Sequence, residues 1–342
     1  MATQNTDKDT SSTKKYFKDI SPRAWEHPAD RAALTALKQV PALDEVIRFF
    51  VGATNEKALR LLFLSSAVRV SESQFSRVND LLIEACKVLD IHTVPELYVV
   101  QNPVMNAGAI GVRKPFITIN SSLLSAQTDE EISYVIGHEL AHIASGHVLY
   151  KTLLWFLTTI ARSIITLPIG QVAILSVFAA LQEWNRKSEL SADRAGLLVV
   201  QDVNPVYTSM MKFAGGPSVE SMNVDEFLRQ AEEYDATGDL LDGVYKFMNL
   251  AGVDHPFPVL RIAALRAWVE KGGLDNILEG NYQRRGPGEE EDVMKDFQNA
   301  AHEYQEDLNR SKDPLAKAMK DVADSVDKAR QDAESFFRSI FG

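Results

Sequence analysis

The sequence predicts an α+β protein that is mainly helical, with a small antiparallel sheet and a helical C-terminal tail. Apolar residues from Phe75 to Leu89 recur at alternating steps of three and four, which is the period of an amphipathic helix. Thr128 and Glu131 stand three positions apart before an apolar run, the spacing of a capping box that begins a helix. Three β-rich runs separated by turn residues predict the sheet, at 97–100, 107–111 and 116–119.

Composition and charge exclude several classes of protein. Hydrophobic residues make up 45% and charged residues 24% of the 342 residues, which is typical of a folded globular chain. The net charge of -11 repels phosphate backbones, so we expect no nucleic-acid partner. A single cysteine, Cys86, excludes an internal disulfide, and residues 1–10 contain no apolar signal segment. A cytoplasmic location is therefore expected.

The composition also divides the chain into three parts. Residues 1–14 are polar and rich in Ser, Thr, Asp and Lys, which predicts disorder. Residues 15–285 alternate helical and β-rich patterns and form the predicted main domain. Residues 286–342 are predicted to be a charged linker followed by an amphipathic helix. The apolar stripe of that helix, over 315–341, is expected to dock on the body of the protein or on a partner.

The strongest chemical signal is the run His138-Glu139-Leu140-Ala141-His142. On a helix, His138 and His142 lie one turn apart on one face, so both imidazoles can reach one metal ion. Glu139 projects beside that site, where it can take a proton from a metal-bound water. The alternative is two core histidines with ordinary hydrogen bonds, although burial of such groups in an apolar helix costs free energy unless they are paired.

A catalytic zinc site needs a third protein ligand and one open position. His147 follows His142 by five residues and lies about 140° further round the helix, unless the helix breaks at Gly146, so we assign it a structural role. Glu189 is the better candidate, and Asp193 lies one turn after it on a second predicted helix. Glu189 would complete the ligand set, while Asp193 would accept the N–H of a ligating imidazole. A solvated acidic face is the alternative reading of this pair, because basic residues lie close by in the sequence.

Four motifs in this order resemble the HtpX-like zinc metallopeptidases, which are relatives of the CAAX prenyl endopeptidases within the gluzincins. The region of resemblance extends from about residue 25 to 285 and contains the motifs at 106–111 (Asn-Ala-Gly-Ala-Ile-Gly), 137–142 (Gly-His-Glu-Leu-Ala-His), 189–196 (Glu-Leu-Ser-Ala-Asp-Arg-Ala-Gly) and 255–261 (His-Pro-Phe-Pro-Val-Leu-Arg). The resemblance implies a zincin-like (minigluzincin) fold and a zinc-dependent endopeptidase of protein quality control. Residues 15–285 would then be the metallopeptidase domain.

The resemblance also implies the ligands and the general base of the site. One Zn²⁺ ion per chain would be bound by His138, His142 and Glu189. Glu139 would act as the general base. His255 resembles the family histidine that stabilises the oxyanion.

Residues 106–111 resemble the edge strand along which substrate lies in this family. An extended polypeptide can add to such a strand through main-chain hydrogen bonds. Four residues are therefore expected to bind substrate: Asn106, Ala107, Gly108 and Ala109. Gly108 departs from the close relatives, which usually carry a bulky residue there, and we expect this departure to reshape a substrate subsite.

Residues 148–182 form a long stretch with few charges. Positions 163–181 are uncharged and approach the ~20 residues that span a bilayer. A single crossing is excluded, since it would place His142 and Glu189 on opposite sides of the membrane although both must bind one ion. We expect a helical hairpin that is buried in the core or lies at a membrane surface, with true spanning and self-association as the alternatives.

The alternative function is a peptide-binding or chaperone-like scaffold that keeps the groove without hydrolysing its ligand. Loss of a ligand or of the base would have favoured the scaffold. Since all of these residue types are present, we expect an enzyme.

Overall fold

The computed structural model describes residues 14–40, 43–44, 46–47, 50, 56–160, 171–236 and 257–286. Its strands are β1 (Val68–Arg69), β2 (Leu97–Val100), β3 (Ala107–Ile110) and β4 (Phe116–Asn120). Its α-helices are α1 (Pro28–Lys38), α2 (Glu56–Ser66), α3 (Ser76–Val88), α4 (Ser121–Ala126), α5 (Asp129–Ala144), α6 (Val148–Ile160), α7 (Gln171–Val200), α8 (Val203–Gly215), α9 (Val224–Ala236), α10 (Pro258–Glu270) and α11 (Gly273–Leu278). The predicted tail over 315–341 and residues 1–13 lie outside the described residues.

The mainly helical α+β fold is confirmed, but the sheet is mixed rather than antiparallel throughout. Its strand order is β1-β2-β4-β3, and the pairs β1–β2 and β3–β4 are antiparallel, whereas β2 and β4 run parallel. The parallel pair arises because the connection at 101–106 takes the chain beyond the position next to β2, so β3 does not pair with β2. The chain then turns back, and β4 occupies that place. As a result, β3 lies at the edge of the sheet.

Helix α5 begins at the predicted capping box and passes through the centre of the protein. The Glu131 backbone N–H donates to the Thr128 hydroxyl over 3.3 Å, and the Thr128 N–H donates to the Glu131 carboxylate over 2.8 Å. Every residue of this helix from 131 to 142 is buried. Burial on all sides indicates that neighbouring elements surround α5, so its polar side chains face protein groups rather than bulk water.

Two glycines allow α5 and α7 to cross at short distance. A Cβ atom on Gly137 would lie 2.6 Å from the Val199 side chain, and one on Gly196 would lie 2.5 Å from the Tyr134 ring. Real Cβ atoms do not approach so closely, because repulsion at such separations is steep. The close crossing brings the middle of α7 next to the histidines of α5.

The described parts of the apolar stretch pack against α1. Leu153 and Leu157 of α6, and Val177 and Leu181 of α7, are buried together with Leu37 of α1 in one apolar cluster. The centre of the predicted hairpin, at 161–170, lies outside the described residues. Among the helices that the structure describes, none combines the length and the apolar character needed to cross a bilayer.

The N-terminal segment before α1 is part of the main core. Phe17, Ile20 and Trp25 are buried in the same apolar cluster as residues of α5 and α7. The segment also pairs with the end of the described chain, because Ile20 forms an isolated bridge with Arg284. These contacts fix the start of α1, which lies against α7.

Candidate metal centre

Three side chains from α5 and α7 converge on one point. The Nε2 atoms of His138 and His142 lie 3.2 Å apart. Each also lies 3.3 Å from one oxygen of Glu189, His138 from Oε2 and His142 from Oε1. His138 is 3% exposed, and the other two side chains are fully buried.

These distances fit a bound metal ion. In a tetrahedral site with metal–ligand bonds of about 2.0–2.1 Å, neighbouring ligand atoms lie about 3.3 Å apart. Two imidazole nitrogens and a carboxylate oxygen that face each other repel through their lone pairs unless a cation or a proton lies between them. The three residues are also a group whose ligand atoms all lie within 4.8 Å of one another. The donor set therefore suits a divalent cation.

The far side of His138 is held by a buried ion pair. Its Nδ1 lies 3.0 Å from Oδ1 of Asp193, one turn after Glu189 on α7. Arg261 of α10 donates to both oxygens of Asp193, with 2.9 Å between Nε and Oδ2. The Tyr134 hydroxyl donates to Oδ1 over 2.7 Å. Asp193 thus accepts from three groups and keeps a hydrogen on Nδ1 of His138, so Nε2 is the nitrogen that would bind a metal ion.

The pKa values reflect this charged environment. Burial acts to raise the pKa of Asp193, but Arg261 outweighs it and holds the value at about 2. Burial likewise opposes protonation of His138, yet Glu189 and Asp193 raise its pKa to about 9. The pKa of His142 is well below the usual value, because burial and the nearby Lys151 ammonium disfavour its charged form. The carboxylates of the pocket therefore favour a positive charge between the three side chains. The neutral ring of His142 keeps a nitrogen lone pair that can bind a metal ion.

The far side of His142 is held differently. Helix α5 ends at Ala144, and Gly146 adopts a φ of 70°, which turns the chain so that His147 comes back against His142. The two Nδ1 atoms lie 3.1 Å apart. The Nε2 of His147 lies 3.2 Å from Oδ2 of Asp30, on α1. His147 therefore does not face the metal position, and it supports His142 from behind.

A comparison with known proteins identifies the family. The family model described as "Peptidase family M48" matches residues 72–269 of the chain. Plastoglobule-localized metallopeptidase 48, a chloroplastic protein of Arabidopsis thaliana, is 36% identical over 269 residues, which cover 77% of each chain. The chain belongs to peptidase family M48. It is a metal-dependent protease, and its substrates are polypeptides.

Further relatives in family M48 match over shorter regions. A protease HtpX homolog of Helicobacter pylori is 31% identical over 147 residues, which is 42% of this chain and 44% of the relative. Protease HtpX homolog 2 of Methanosarcina acetivorans is 24% identical over 179 residues, covering 45% and 60%. No solved structure matches the chain. These relatives confirm the HtpX-like resemblance of the sequence.

Glu139, the acidic residue of the run from His138 to His142, borders a small cavity beside α5. The side chain is 1% exposed, and this cavity touches Glu139, His138, Arg261 and Ala107. Ala107 is the first residue of the edge strand β3. The structure therefore brings the predicted base and the predicted substrate strand to one cavity.

A groove of about 280 Å³ runs between β3 and the helices α6 and α7. Asn106, Ala107, Gly108 and Ala109, the four predicted substrate residues, all line it. A Cβ atom added to Gly108 would have Thr118 Oγ1, at 3.9 Å, as its nearest contact, so a side chain would fit there. The absence of that side chain leaves this part of the groove open.

Some residues of the site were not predicted from the sequence as partners of the metal ligands. Arg261 also contacts Glu189, with 3.2 Å between Nη1 and Oε2. Lys151 donates to the other oxygen of Glu189 over 2.6 Å. Arg261 closes the last of the four motifs, which was the available signal, whereas Lys151 lies in an apolar stretch that gives none. His255 lies outside the described residues.

Proposed function

We propose that this M48 protease is a zinc-dependent endopeptidase with His138, His142 and Glu189 as the ligands. The observation that carries the proposal is the separation of 3.2 to 3.3 Å between the two Nε2 atoms and between each of them and one oxygen of Glu189, on two helices that are far apart in the sequence. Two imidazoles and one carboxylate with an open fourth position are the donor set of catalytic zinc. A bound zinc ion supplies a water of lowered pKa and stabilises negative charge on the substrate carbonyl oxygen.

The remaining roles in catalysis and substrate binding are carried out by other residues of the chain. Glu139 takes a proton from the attacking water and passes it to the leaving amine, as expected of a carboxylate beside the metal ligands. Strand β3, at the edge of the sheet, binds an extended substrate, with Asn106 to Ala109 along the groove. Asp193 keeps the His138 ring in its binding tautomer. The resemblance assigns the stabilisation of the oxyanion to His255.

The physiological side of the proposal is a role in protein quality control in the cytoplasm, with one zinc ion per chain. An open groove with a glycine at Gly108 supports broad acceptance of unfolded chains. The similar Arabidopsis protein is named as plastoglobule-localized and chloroplastic, and association with a membrane surface is the alternative to a free cytoplasmic location of this chain.

The test is the variant Glu139→Gln in the full chain. It should keep zinc, because Glu139 is not a ligand, and lose roughly 10²- to 10⁴-fold of the rate of casein hydrolysis. Zinc content by atomic absorption and peptide release are measured on the same sample. Glu130→Gln, at an exposed position of the same helix, is the control and should retain both properties.

Two outcomes contradict the proposal. Unchanged hydrolysis by Glu139→Gln would remove Glu139 from the mechanism. A wild-type protein that binds zinc and unfolded casein without releasing peptides would be the scaffold instead.

Chelation should abolish hydrolysis, and added zinc should restore it.

A further inference from the structure

The support behind His142 comes from two residues that lie outside the four motifs of the sequence analysis. His147 follows the end of α5, and Asp30 lies in the first turn of α1. Both are buried, at 2% and 1% exposure. Asp30 lies outside the segment 72–269 that matches family M48.

The positions of the hydrogens follow from the chemistry of the three groups. If His142 binds the metal through Nε2, its hydrogen is on Nδ1, and this N–H must donate to Nδ1 of His147. His147 then carries its own hydrogen on Nε2, from which it donates to Oδ2 of Asp30. Each donor meets one acceptor, so a single arrangement satisfies both rings.

Asp30 is itself held firmly in place. Its Oδ2 accepts from the Ser191 hydroxyl over 2.6 Å, and its Oδ1 accepts from the Trp184 indole N–H over 3.1 Å. Both donors belong to α7, the helix that carries Glu189. The carboxylate is therefore fixed relative to the third metal ligand as well as to His147.

We infer that His147 and Asp30 are positioning residues for the metal centre, which fix the tautomer and the ring orientation of His142. Helix α1 is then part of the metal site, although it precedes the matched family segment. The inference rests on the proposed ligand set. Partners behind a ligating histidine typically contribute a factor of about 10–100 to metal affinity.

The test measures the zinc dissociation constant of the full chain by competition with a chromophoric chelator. His147→Ala removes the acceptor of the His142 N–H, and Asp30→Asn presents an amide N–H₂ or a weaker acceptor to His147. Each should weaken zinc binding roughly tenfold to hundredfold. The double variant should be no weaker than His147→Ala alone, because Asp30 acts through His147.

Leu37→Ala is the control for a structural role of α1. Leu37 is fully buried on the same helix, away from the metal centre, so its truncation lowers stability through a cavity but should leave the zinc dissociation constant within about twofold. If Asp30→Asn does not fold, His147→Ala still carries the test.

The outcomes separate this inference from the proposed function. Wild-type protein that binds no zinc would overturn the proposed function itself. Wild-type protein that binds zinc, together with unchanged affinity in His147→Ala, would overturn only the inference. Equal losses of affinity in Leu37→Ala and Asp30→Asn would also overturn it, because the effect would then be one of packing.

Discussion

The two histidines of the metal centre face the same carboxylate but are supported by different chemistry. Behind His138 lies a charged pair, in which Asp193 is held by the Arg261 guanidinium. Behind His142 lies a second imidazole, that of His147. Each side also places one cation on Glu189, which is Arg261 at Oε2 on the first side and Lys151 at Oε1 on the second.

This difference distinguishes a side chain that stabilises the fold from one that orients a metal ligand. Arg261 contacts two buried carboxylates at once, so its removal takes the guanidinium from Asp193 and leaves Glu189 with the Lys151 ammonium. Loss of His147 leaves the His142 N–H without this acceptor and takes one donor from Asp30, which still accepts from Ser191 and Trp184, so the cost is smaller. The first side therefore combines stability with metal binding, whereas the second acts mainly on the metal.

The largest effect is expected from Arg261→Met. The variant preserves the apolar volume of the side chain but leaves Asp193 and Glu189 without their shared cation, which should cost about 3–5 kcal/mol of unfolding free energy. Urea unfolding of the metal-free protein measures this loss. Arg266→Met, at an exposed ion pair of the same helix, is the control and should leave the midpoint nearly unchanged.

A loss for Arg261→Met no greater than that of its control would contradict the comparison. It would mean that the buried carboxylates are neutralised in another way, by proton uptake or by solvent. Measurement in the metal-free protein matters, because a bound divalent cation would replace part of the missing charge.

Asp193→Asn is expected to have the next largest effect, on metal affinity. The amide is a weaker acceptor for the His138 N–H, so zinc binding should weaken roughly tenfold to hundredfold. The loss should be at least as large as in His147→Ala, because a carboxylate makes its imidazole more basic than a neutral ring does. Asp202→Asn removes the same charge at an exposed helix start and controls for net charge. A zinc dissociation constant equal to that of wild type would contradict the role of Asp193.

The sequence predicted the His138 side because its members repeat a helical period. Glu189 and Asp193 lie one turn apart on one helix, and His138 and His142 lie one turn apart on another. Local spacing decides which face such residues share. The two glycines of the same motifs, Gly137 and Gly196, are where α5 and α7 approach most closely, but their fit to Val199 and Tyr134 required coordinates.

The sequence could not predict the His142 side, for two physical reasons. A continuous helix would carry His147 to another face, and only the left-handed turn at Gly146 returns it to His142. Asp30 is brought to His147 by packing of α1 on α7, a contact between segments that are distant in the chain and have no shared period. The parallel pairing of β2 with β4 was missed for a related reason, since hydrophobic alternation does not specify strand order.

The smallest effect, and the sharpest distinction between the two cations, is expected from Lys151→Met. Lys151 contacts Glu189 through a flexible stem, and its side chain is 10% exposed, so it can move aside when a metal ion takes Glu189 Oε1. Its removal should destabilise the metal-free protein less than Arg261→Met does. Zinc binding should stay unchanged or become tighter by up to roughly tenfold, because a positive charge near the metal is lost. The same urea and chelator measurements apply, and weaker zinc binding would show that Lys151 orients Glu189 as Arg261 orients Asp193.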